Sequence, residues 1–307
     1  MTAALAIDLG GTKVEAALVD DAGVVDGATR VRAETGAAAA ADPSVLRDAV
    51  DHVVRECLGR AGDVEVVAAG VGAAGPVDLG AGTISPVNLP AVRDFPVVEL
   101  VRAASGLEDV TLRLDGTCIA LAELWLGAAR GVRDAVVFVV STGIGGGIVS
   151  DGRLVAGASG NAGHLGQVVV ERVGADVAAA TVEGIGSGPH SVAWARAQGW
   201  VGSDGEELAA SFRAGDPIAI AAVDRSARAV GAGLANASTL LDLELAVVGG
   251  GFSFVADDYA QRVEDAAHAH SVNAFARRLR VVRARLGGDA PLVGAAALVH
   301  RADLLGA

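Results

Sequence analysis

A short glycine-containing segment near the N-terminus has side chains that could hold a phosphate group. Asp8-Leu9-Gly10-Gly11-Thr12-Lys13 lies between two apolar stretches, Ala3 to Asp8 and Lys13 to Val19, that predict strands. Glycines let backbone N–H groups approach an anion, Thr12 can add a hydroxyl, and Asp8 can hold a hydrated metal ion. A tight hairpin uses the same residue types, so this segment alone leaves both interpretations open.

A second glycine-rich segment follows the apolar stretch from Asp134 to Val140, which predicts a strand. Ser141-Thr142-Gly143-Ile144-Gly145-Gly146-Gly147 lacks the G-x-G-x-x-G spacing of a Rossmann fold and leads into a predicted hairpin, not a helix. No Gly-Lys-Ser/Thr follows, which excludes a Walker loop. Strand, glycine loop and hairpin thus occur at 3–19 and again at 134–155. The repetition predicts a nucleotide held between two related domains, and two ordinary hairpins are the alternative.

Two further segments could take part in chemistry. Gly249-Gly250-Gly251 directly follows the apolar run that ends at Val248, and bare backbone there would allow a flat group such as adenine to approach closely. A strand-to-helix turn would also use a glycine at this point. Asp115 lies between a predicted strand and a predicted helix. Its carboxylate could accept a proton from a substrate hydroxyl during phosphoryl transfer, or it could cap the helix, and the sequence alone favours the cap.

The remaining elements predict an α/β protein. The chain should begin with a three-stranded meander, whose third strand runs from Val24 to Val31, and Asp42 should cap the helix that follows. The Ala run at 37–41 is the nearest approach to a linker. Helices are predicted over 43–60, 116–130, 189–199, 205–213, 217–241, 255–270 and from 291, and further strands over 64–72, 110–114, 134–140, 243–248 and 279–284.

Composition limits the classes of function. The 307 residues are 52% hydrophobic with a formal net charge of −13, so the chain can bury a sizeable core and should repel nucleic acid. No signal peptide or membrane span is evident, which predicts a soluble cytoplasmic protein with no membrane partner. The two cysteines, Cys57 and Cys118, cannot form a four-cysteine zinc site.

Taken together, the segments resemble the ROK family of bacterial sugar kinases. They occur in family order over nearly the whole chain, and as a set they are specific. The matching segments are Ala6 to Lys13, Gly72 to Asp78, Val87-Asn88-Leu89-Pro90, Leu114-Asp115 with Ala120 to Glu123, Ser141 to Gly147, Gly160-Asn161-Ala162-Gly163, Glu183 with Ser187-Gly188-Pro189, and Gly249-Gly250-Gly251.

The resemblance implies a two-domain α/β fold of the actin-like ATPase (ribonuclease H-like) type with a central cleft. A smaller domain would comprise residues 1–113 plus about 292–307, and a larger one residues 114–291. ATP and Mg²⁺ are the implied cofactors, with Asp8 as a water-mediated metal ligand. Asp115 would be the base that activates a sugar 6-hydroxyl. The implied cofactor-binding residues are Asp8, Gly10, Gly11, Thr12, Lys13, Thr142, Gly143, Gly145, Gly250 and Gly251. The implied substrate-binding residues are Asn88, Leu114, Asn161, His164, Gln167 and Glu183.

Three departures from the family pattern concern the substrate and the metal. Leu114 stands where the family has Asn, and His164-Leu165-Gly166-Gln167 stands where it has Glu-x-x-His. Residues 171–182 contain none of the zinc-ligand cysteines of the family, which predicts no zinc site. Because a site built to hydrogen-bond a hydroxyl rejects analogues that lack it, these changes should alter the substrate. The expected substrate is a hexose or modified hexose, with an amino sugar or cyclitol as the alternative.

Other functional classes remain as alternatives. ROK relatives include transcriptional regulators, but the phosphate loop here begins at residue 8 and the chain is acidic. A non-catalytic sugar-binding protein would have no need of Asp8, Asp115 and the glycine loops. An ATPase acting on proteins would not require the similarity over 160–189. The family further implies a homodimer.

Overall fold

The computed structural model describes residues 2–172, 174 and 176–306. The strands are β1 (Thr2–Leu9), β2 (Lys13–Asp20), β3 (Val31–Glu34), β4 (Glu65–Ala73), β5 (Val77–Asp78), β6 (Thr83–Ile84), β7 (Val110–Leu114), β8 (Ala135–Val140), β9 (Ile144–Ser150), β10 (Arg153–Leu154), β11 (Leu245–Gly249) and β12 (Arg280–Arg283). The helices are α1 (Gly36–Ala41), α2 (Pro43–Gly59), α3 (Val97–Ser105), α4 (Asp115–Trp125), α5 (Val182–Gly186), α6 (Gly188–Ala197), α7 (Gly205–Arg213), α8 (Pro217–Leu241), α9 (Tyr259–His270) and α10 (Ala290–His300). Within the described ranges, no helix has the length and apolar character that a membrane crossing needs.

Two compact units make up the chain, and each contains segments that are distant in sequence. Unit 1 runs from the N-terminus to Arg130 and includes Arg153–Ala162 and the chain from Gly288 onward. Unit 2 comprises Gly131–Gly152 and Gly163–Gly287. Each unit has its own sheet and its own hydrophobic core.

The sheet of unit 1 has five strands in the order β3-β2-β1-β4-β7. Strand β2 is antiparallel to both β1 and β3, whereas β1, β4 and β7 are mutually parallel. Leu9 at the end of β1 pairs with Ala73 of β4, and Ala73 pairs with Leu114 of β7. The carboxyl ends of the three parallel strands therefore lie at one edge of the sheet, which is where ligands bind in open α/β sheets.

Strand β1 is buried on both faces, and the size of its side chains alternates. Leu5, Ile7 and Leu9 belong to the larger core, which also includes residues of α2 and α3. Ala4 and Ala6 face the other way, in a smaller cluster with Leu292, Ala295 and Ala296 of α10. Because successive strand residues point to opposite faces, the large residues fill one side and the small ones let α10 approach the other.

Glycines, which have no side chain, let α10 pack closely against its neighbours. A Cβ added to Gly294 would lie 1.7 Å from the carbonyl oxygen of Cys118 in α4, and one added to Gly70 of β4 would lie 1.8 Å from that of Ala295. Helix α4 is consequently packed within unit 1, although the sequence placed a domain limit between residues 113 and 114. The units are defined by compactness alone, so the domain limits of 1–113 plus about 292–307, and 114–291, remain a prediction.

Unit 2 contains strands in the order β9-β8-β11-β12. Strand β9 is antiparallel to β8, and β8, β11 and β12 are parallel. Its core packs apolar side chains of β8 and β11 against α6, α8 and α9. The long helix α8 begins after Asp216, whose side chain accepts hydrogen bonds from the backbone of Ile218 and Ala219. Such a cap satisfies N–H groups that the first turn leaves unpaired.

Most of the elements follow the sequence-based predictions, but several do not, among them the unpredicted α5, β5 and β6. The predicted third strand from Val24 to Val31 is wrong, because Asp26 and Thr29 form turns there and β3 begins only at Val31. The alanine run is not a linker but helix α1, and α3 was not predicted. Asp42 does cap α2, with its side chain accepting from Ser44 N at 2.9 Å.

Candidate active site

Two carboxylates meet at the carboxyl-terminal edge of the unit 1 sheet. Asp8 is the next-to-last residue of β1 and is only 8% exposed, and Asp115 is the first residue of α4, directly after β7. Asp8 pairs with Gly72 of β4, and a Cβ on Gly72 would lie 3.7 Å from the Cα of Asp115. The same Cβ would lie 2.9 Å from Cys118 Sγ, so the missing side chain of Gly72 lets the first turn of α4 pack against the sheet.

The electrostatics of Asp8 reflect this arrangement. Burial, followed by the charge of Asp115, raises the pKa of Asp8 to about 7, and the ammonium of Lys13 only partly offsets the increase. A buried carboxylate beside another acid is costly to ionise unless a cation joins it. Leu114, not Asp115, occupies the N-cap position of α4. Asp115 lies in the first turn instead, where its Oδ1 accepts from Gly116 N at 2.6 Å, and its role as a base remains a prediction.

Lys13 is held by a small ion-pair network at the start of β2. Its Nζ lies 2.6 Å from Glu15 Oε2, and Arg30 Nε lies 2.5 Å from Glu15 Oε1. Burial opposes the charge of Glu15, but the hydrogen bonds from Lys13 and Arg30 outweigh it and lower the pKa of Glu15. Arg30 also contacts Asp289 at 2.8 Å. Glu15 thus holds the Lys13 side chain in the neighbourhood of Asp8.

The glycine loop of unit 1 contacts one predicted substrate residue. Gly10 N donates to Lys13 O at 3.0 Å, which closes the turn between β1 and β2, and Thr12 is exposed. A Cβ on Gly11 would lie 1.6 Å from Asn88 Nδ2, so the Asn88 side chain rests on the bare loop. Asn88 is therefore brought to the loop that carries Gly10, Gly11 and Thr12.

Leu114 and Asn161 lie on either side of another glycine. Leu114 is 3% exposed, and its Cδ2 would be 2.3 Å from a Cβ on Gly75. Asn161 Oδ1 accepts from Val77 N at 3.0 Å and its Nδ2 donates to Val77 O at 2.9 Å. The amide of Asn161 thus fixes the backbone of β5, whatever else it contacts, and the substrate-binding role of both residues remains a prediction.

In unit 2 a carboxylate holds the second glycine loop. Glu183 Oε2 accepts from Ile144 N at 2.7 Å, and Gln167 Nε2 donates to Glu183 Oε1 at 3.2 Å. Thr181 caps α5 by accepting from Gly184 N, which orients the turn that carries Glu183. His164 is exposed, as is Gln167. The structure thus joins Gln167, Glu183 and the loop at Gly143 and Ile144 in one hydrogen-bonded group.

A cavity of about 890 Å³ opens beside this loop in unit 2. It is surrounded by the loop after β8, the first turns of α6 and α7 and the segment after β11. Its lining comprises Ser141, Thr142, Gly188, Pro189, Val192, Ser203, Asp204, Gly205, Glu206, Ala209, Arg213, Gly251, Phe252, Phe254 and Val255. Its size is in the range of small-molecule and cofactor sites.

The cavity contains only some of the predicted nucleotide residues. Thr142 and Gly251 line it, whereas Gly143, Gly145 and Gly250 lie in the same loops but outside the lining. Gly250 has φ +86° and a Cβ there would be 2.5 Å from Val140 O, so it is required for the turn itself. Phe252 and Phe254, which also line the cavity, were not among the predicted site residues. The sequence signal that could have indicated them is their position just after the glycine triplet, in a chain with only six phenylalanines.

The ROK family sequence profile matches residues 4–302. The chain belongs to the ROK family. An N-acetylmannosamine kinase of Citrobacter koseri is 34% identical over 299 residues, which cover 96% of this chain and 98% of that protein. A ROK hexokinase structure from Thermus thermophilus is 33% identical with a TM-score of 0.76, covering 96% of each chain. A ROK glucokinase structure from Streptomyces griseus, in complex with glucose and AMPPNP, has a TM-score of 0.81 at 28% identity, over 97% of this chain and 99% of the other.

These similarities confirm the family and the α/β fold of the actin-like ATPases. In this ROK protein, the described residues contain no group of three or more His, Cys, Asp or Glu side chains arranged to hold a metal ion. A magnesium ion bound to a nucleotide needs only one or two protein carboxylates, because phosphates and water supply the other ligands. The buried Asp8 beside Asp115 is a donor set of that kind.

Proposed function

We propose that this ROK protein is an ATP-dependent kinase that phosphorylates the 6-hydroxyl of a hexose or modified hexose. The observation that carries the proposal is the meeting of Asp8 and Asp115 at the edge of the unit 1 sheet, next to the Gly10-Gly11 loop. Similarity over 96% of the chain to an N-acetylmannosamine kinase and to a ROK hexokinase supports the same class of reaction.

Asp115 is the proposed general base. As the sugar hydroxyl oxygen forms its bond to the γ-phosphorus, the Asp115 carboxylate takes the hydroxyl proton. The bond between the γ-phosphorus and the oxygen that bridges to the β-phosphate breaks, and ADP leaves. The position of Asp115 at the first residue of α4 supports this role, because the helix fixes its backbone while the carboxylate stays at the sheet edge.

Asp8 and Lys13 are proposed to help neutralise the negative charge of the phosphates. Asp8 would hold Mg²⁺ through water, and the ion would neutralise the phosphate oxygens when it is bound. Lys13, kept in place by Glu15 at 2.6 Å, supplies a fixed positive charge beside Gly10 and Gly11. The backbone N–H groups of the Gly10-Gly11 loop would be further phosphate-binding groups.

An N-acylated amino sugar is the first substrate to test, with the cyclitols as the alternative. The Citrobacter koseri relative is named as an N-acetylmannosamine kinase and is as similar to this chain as the Thermus thermophilus hexokinase. Leu114 presents an apolar side chain where a polar contact is usual, and His164 and Gln167 replace a Glu-x-x-His pair. Such changes are expected to disfavour plain glucose.

The test is ADP release by the purified protein with MgATP and N-acetylmannosamine, N-acetylglucosamine, mannose, glucose or myo-inositol. We expect the highest kcat/KM with an amino sugar and phosphorus NMR of the product to show a 6-phosphate. The matched control is the 6-deoxy form of the best substrate, which lacks the attacking hydroxyl and should give no sugar-dependent ADP release. Absence of turnover with every acceptor would overturn the kinase proposal.

We further propose a zinc-free, cytoplasmic homodimer. The chain has only Cys57 and Cys118, both buried in unit 1, and none in residues 171–182 where the family places its zinc ligands. Metal analysis of the protein should therefore find no stoichiometric zinc, and one tightly bound zinc per chain would contradict this. Light scattering should give twice the chain mass, and a monomer at assay concentration would contradict the dimer.

A further inference from the structure

A pair of buried hydroxyl groups connects α9 and α8 to the short helix that carries Glu183. Ser226 of α8 and Tyr259 of α9 are both fully buried. Their hydroxyl oxygens lie 2.8 Å apart, and Ser226 Oγ donates to the carbonyl oxygen of Gly186 in α5 at 2.6 Å. Because Ser226 has one hydroxyl proton and gives it to Gly186, Tyr259 must be the donor to Ser226. The hydrogen bonds therefore run in one direction, from α9 through α8 to α5.

The surroundings of Tyr259 make it a permanent donor. Burial raises the pKa of its phenol above the usual value, although the hydrogen bond with Ser226 opposes the increase. The ring meets that of Phe252 edge to face, with 6.1 Å between the ring centroids. Such ring pairs prefer this geometry, so the packing fixes the ring while the hydroxyl stays protonated.

Helix α5 lies directly on α8 because side chains are missing where the two helices meet. A Cβ added to Gly186 would lie 3.3 Å from the carbonyl oxygen of Ser226, and one added to Gly233 would lie 2.7 Å from Val182 Cγ2. Val182 and Gly186 are the first and last residues of α5. Both ends of α5 are therefore in close contact with α8.

Two neighbouring residues of α8 also satisfy carbonyl groups at the end of α5. Arg225 Nη1 donates to Ile185 O at 2.6 Å, beside the bond from Ser226 to Gly186 O. The last carbonyl groups of a helix have no partner within the helix itself. Helix α5 has only five residues, and an isolated helix of that length is not stable in water. Its position is therefore determined by these contacts with α8.

The position of α5 matters because both carboxylate oxygens of Glu183 are engaged. Oε2 accepts from Ile144 N at 2.7 Å, and Oε1 accepts from Gln167 Nε2 at 3.2 Å. A Cβ added to Gly143 would lie 2.7 Å from Oε2, so the carboxylate also lies tightly against the glycine loop. A shift of α5 by about 1 Å would carry both distances out of hydrogen-bonding range.

We propose that Ser226, whose hydroxyl is fixed by Tyr259, is a positioning residue that places Glu183 for contact with the sugar. This inference rests on the proposed kinase function and on the predicted substrate contact of Glu183. Neither Ser226 nor Tyr259 lines the cavity of unit 2, so their effect on the sugar passes through α5. The KM for sugar should depend on the two hydroxyls, and nucleotide affinity should not.

The test compares Ser226→Ala with Ser238→Ala in the full chain. Ser238 is also fully buried in α8, but its hydroxyl has no hydrogen-bond partner among the described residues. The two variants carry the same chemical change in the same helix and differ in the link to α5. Ser226→Ala should raise the KM for sugar about 3- to 10-fold, as expected for one lost hydrogen bond, and speed hydrogen exchange of the Ile144 amide. Calorimetric ADP affinity should stay unchanged, and Ser238→Ala should alter none of the three.

Tyr259→Phe provides a second variant, because it keeps the ring against Phe252 and removes only the donor to Ser226. It should raise the KM for sugar in the parent and have no further effect in Ser226→Ala, since the two hydroxyls act in series. Additive effects in the double variant would contradict the series.

The outcomes separate this proposal from the proposed function. If the parent phosphorylates sugar but Ser226→Ala keeps the parent's KM, or Ser238→Ala raises it equally, the positioning role is wrong and the kinase stands. If the parent phosphorylates no sugar, the proposed function fails. The exchange rate of the Ile144 amide then still decides whether Ser226 positions Glu183, and a rate like the parent's in Ser226→Ala overturns that role.

Discussion

The two units repeat one order of strands with different residues at the strand ends. In unit 1, β2, β1, β4 and β7 lie side by side, and in unit 2, β9, β8, β11 and β12 do so with the same parallel and antiparallel senses. The ends in unit 1 carry two carboxylates, Asp8 and Asp115. Those in unit 2 carry Ser141 to Gly143 and the Gly249 to Phe254 segment. The same strand arrangement thus ends in two acids in one unit and in glycine- and phenylalanine-containing segments beside a cavity in the other.

The two glycine loops are also supported in different ways. In unit 1, Glu15 binds the side chains of Lys13 and Arg30, so the acid next to the loop fixes a cation. In unit 2, Glu183 accepts the backbone N–H of Ile144, so the acid fixes the loop itself. The first arrangement adds positive charge at the loop, and the second adds rigidity. Substitutions in the two units should therefore affect different measurable quantities.

The largest effect is expected at Asp115. Asp115→Asn removes the proposed base and should lower kcat about 10²- to 10⁴-fold, with little change in nucleotide affinity. The measurement is steady-state sugar phosphorylation together with calorimetric ADP binding. Asp109→Asn is the matched control, since Asp109 is exposed and precedes β7 at its other end. A kcat close to that of the parent in Asp115→Asn would show that another group takes the proton.

Asp8 should give the next largest effect, in the pH dependence of stability. Its pKa is about 7 in the folded chain and near 3.8 when unfolded, so the folded state retains a proton that the unfolded state loses between these values. Folding stability should fall as pH rises through this window and level off above about 7. Asp8→Asn removes that fall and should be more stable than the parent at about pH 8, by up to roughly 4 kcal/mol.

The measurement for Asp8 is urea unfolding of the ligand-free protein at several values from about pH 5 to 8, where the folded and unfolded states bind different numbers of protons. Asp109→Asn serves again as control and should keep the parent's slope. The charged groups that act on Asp8 are Asp115, Lys13 and Glu15. Identical slopes in the parent and in Asp8→Asn would show that Asp8 is not protonated when folded.

The helices and strands of both units could largely be predicted from the sequence, because periodicity and caps are local signals. The predicted bounds of β7, α7 and α8 agree with the structure. The failures have local causes too. The valines at 24, 25 and 31 suit a strand, but the side chain of Asp26 accepts from Ala28 N and turns the chain. Alanine has the highest helix propensity, which accounts for α1 in place of a linker.

The candidate site could be predicted only in part from the sequence. The glycine loops and Asp115 follow strands directly, so their positions could be predicted. The cavity of unit 2 combines residues from 141 to 255 that no local pattern connects. The pairing of Glu15 with Arg30 likewise depends on tertiary structure, because Arg30 is fifteen residues from Glu15 in sequence. These contacts are tertiary, and no local sequence pattern specifies them.

Substitutions of Glu183 should distinguish its support of the glycine loop in unit 2 from its proposed contact with the substrate. Glu183→Ala leaves Ile144 N–H without its acceptor, which should destabilise the fold by about 1–2 kcal/mol and speed hydrogen exchange of that amide. Glu183→Gln keeps an oxygen acceptor but loses the charge, so it should raise the KM for sugar more than it alters unfolding. Glu171→Ala, an exposed acid of the same unit, is the control. Unchanged exchange of the Ile144 amide in Glu183→Ala would contradict the loop-holding role.

The smallest effects should come from one methyl group added to each glycine loop. A Cβ on Gly11 meets Asn88 Nδ2 at 1.6 Å, whereas a Cβ on Gly145 meets nothing within 4 Å. Gly11→Ala should therefore displace Asn88 and raise the KM for sugar about 5- to 20-fold, as expected for a forced side-chain shift of roughly 1–2 kcal/mol. Gly145→Ala should leave the KM for sugar unchanged. The two variants carry the same chemical change, so each is the other's control. Equal KM values for sugar in the two variants would show that Asn88 does not contribute to substrate binding. Gly11 would then be needed only for the local turn.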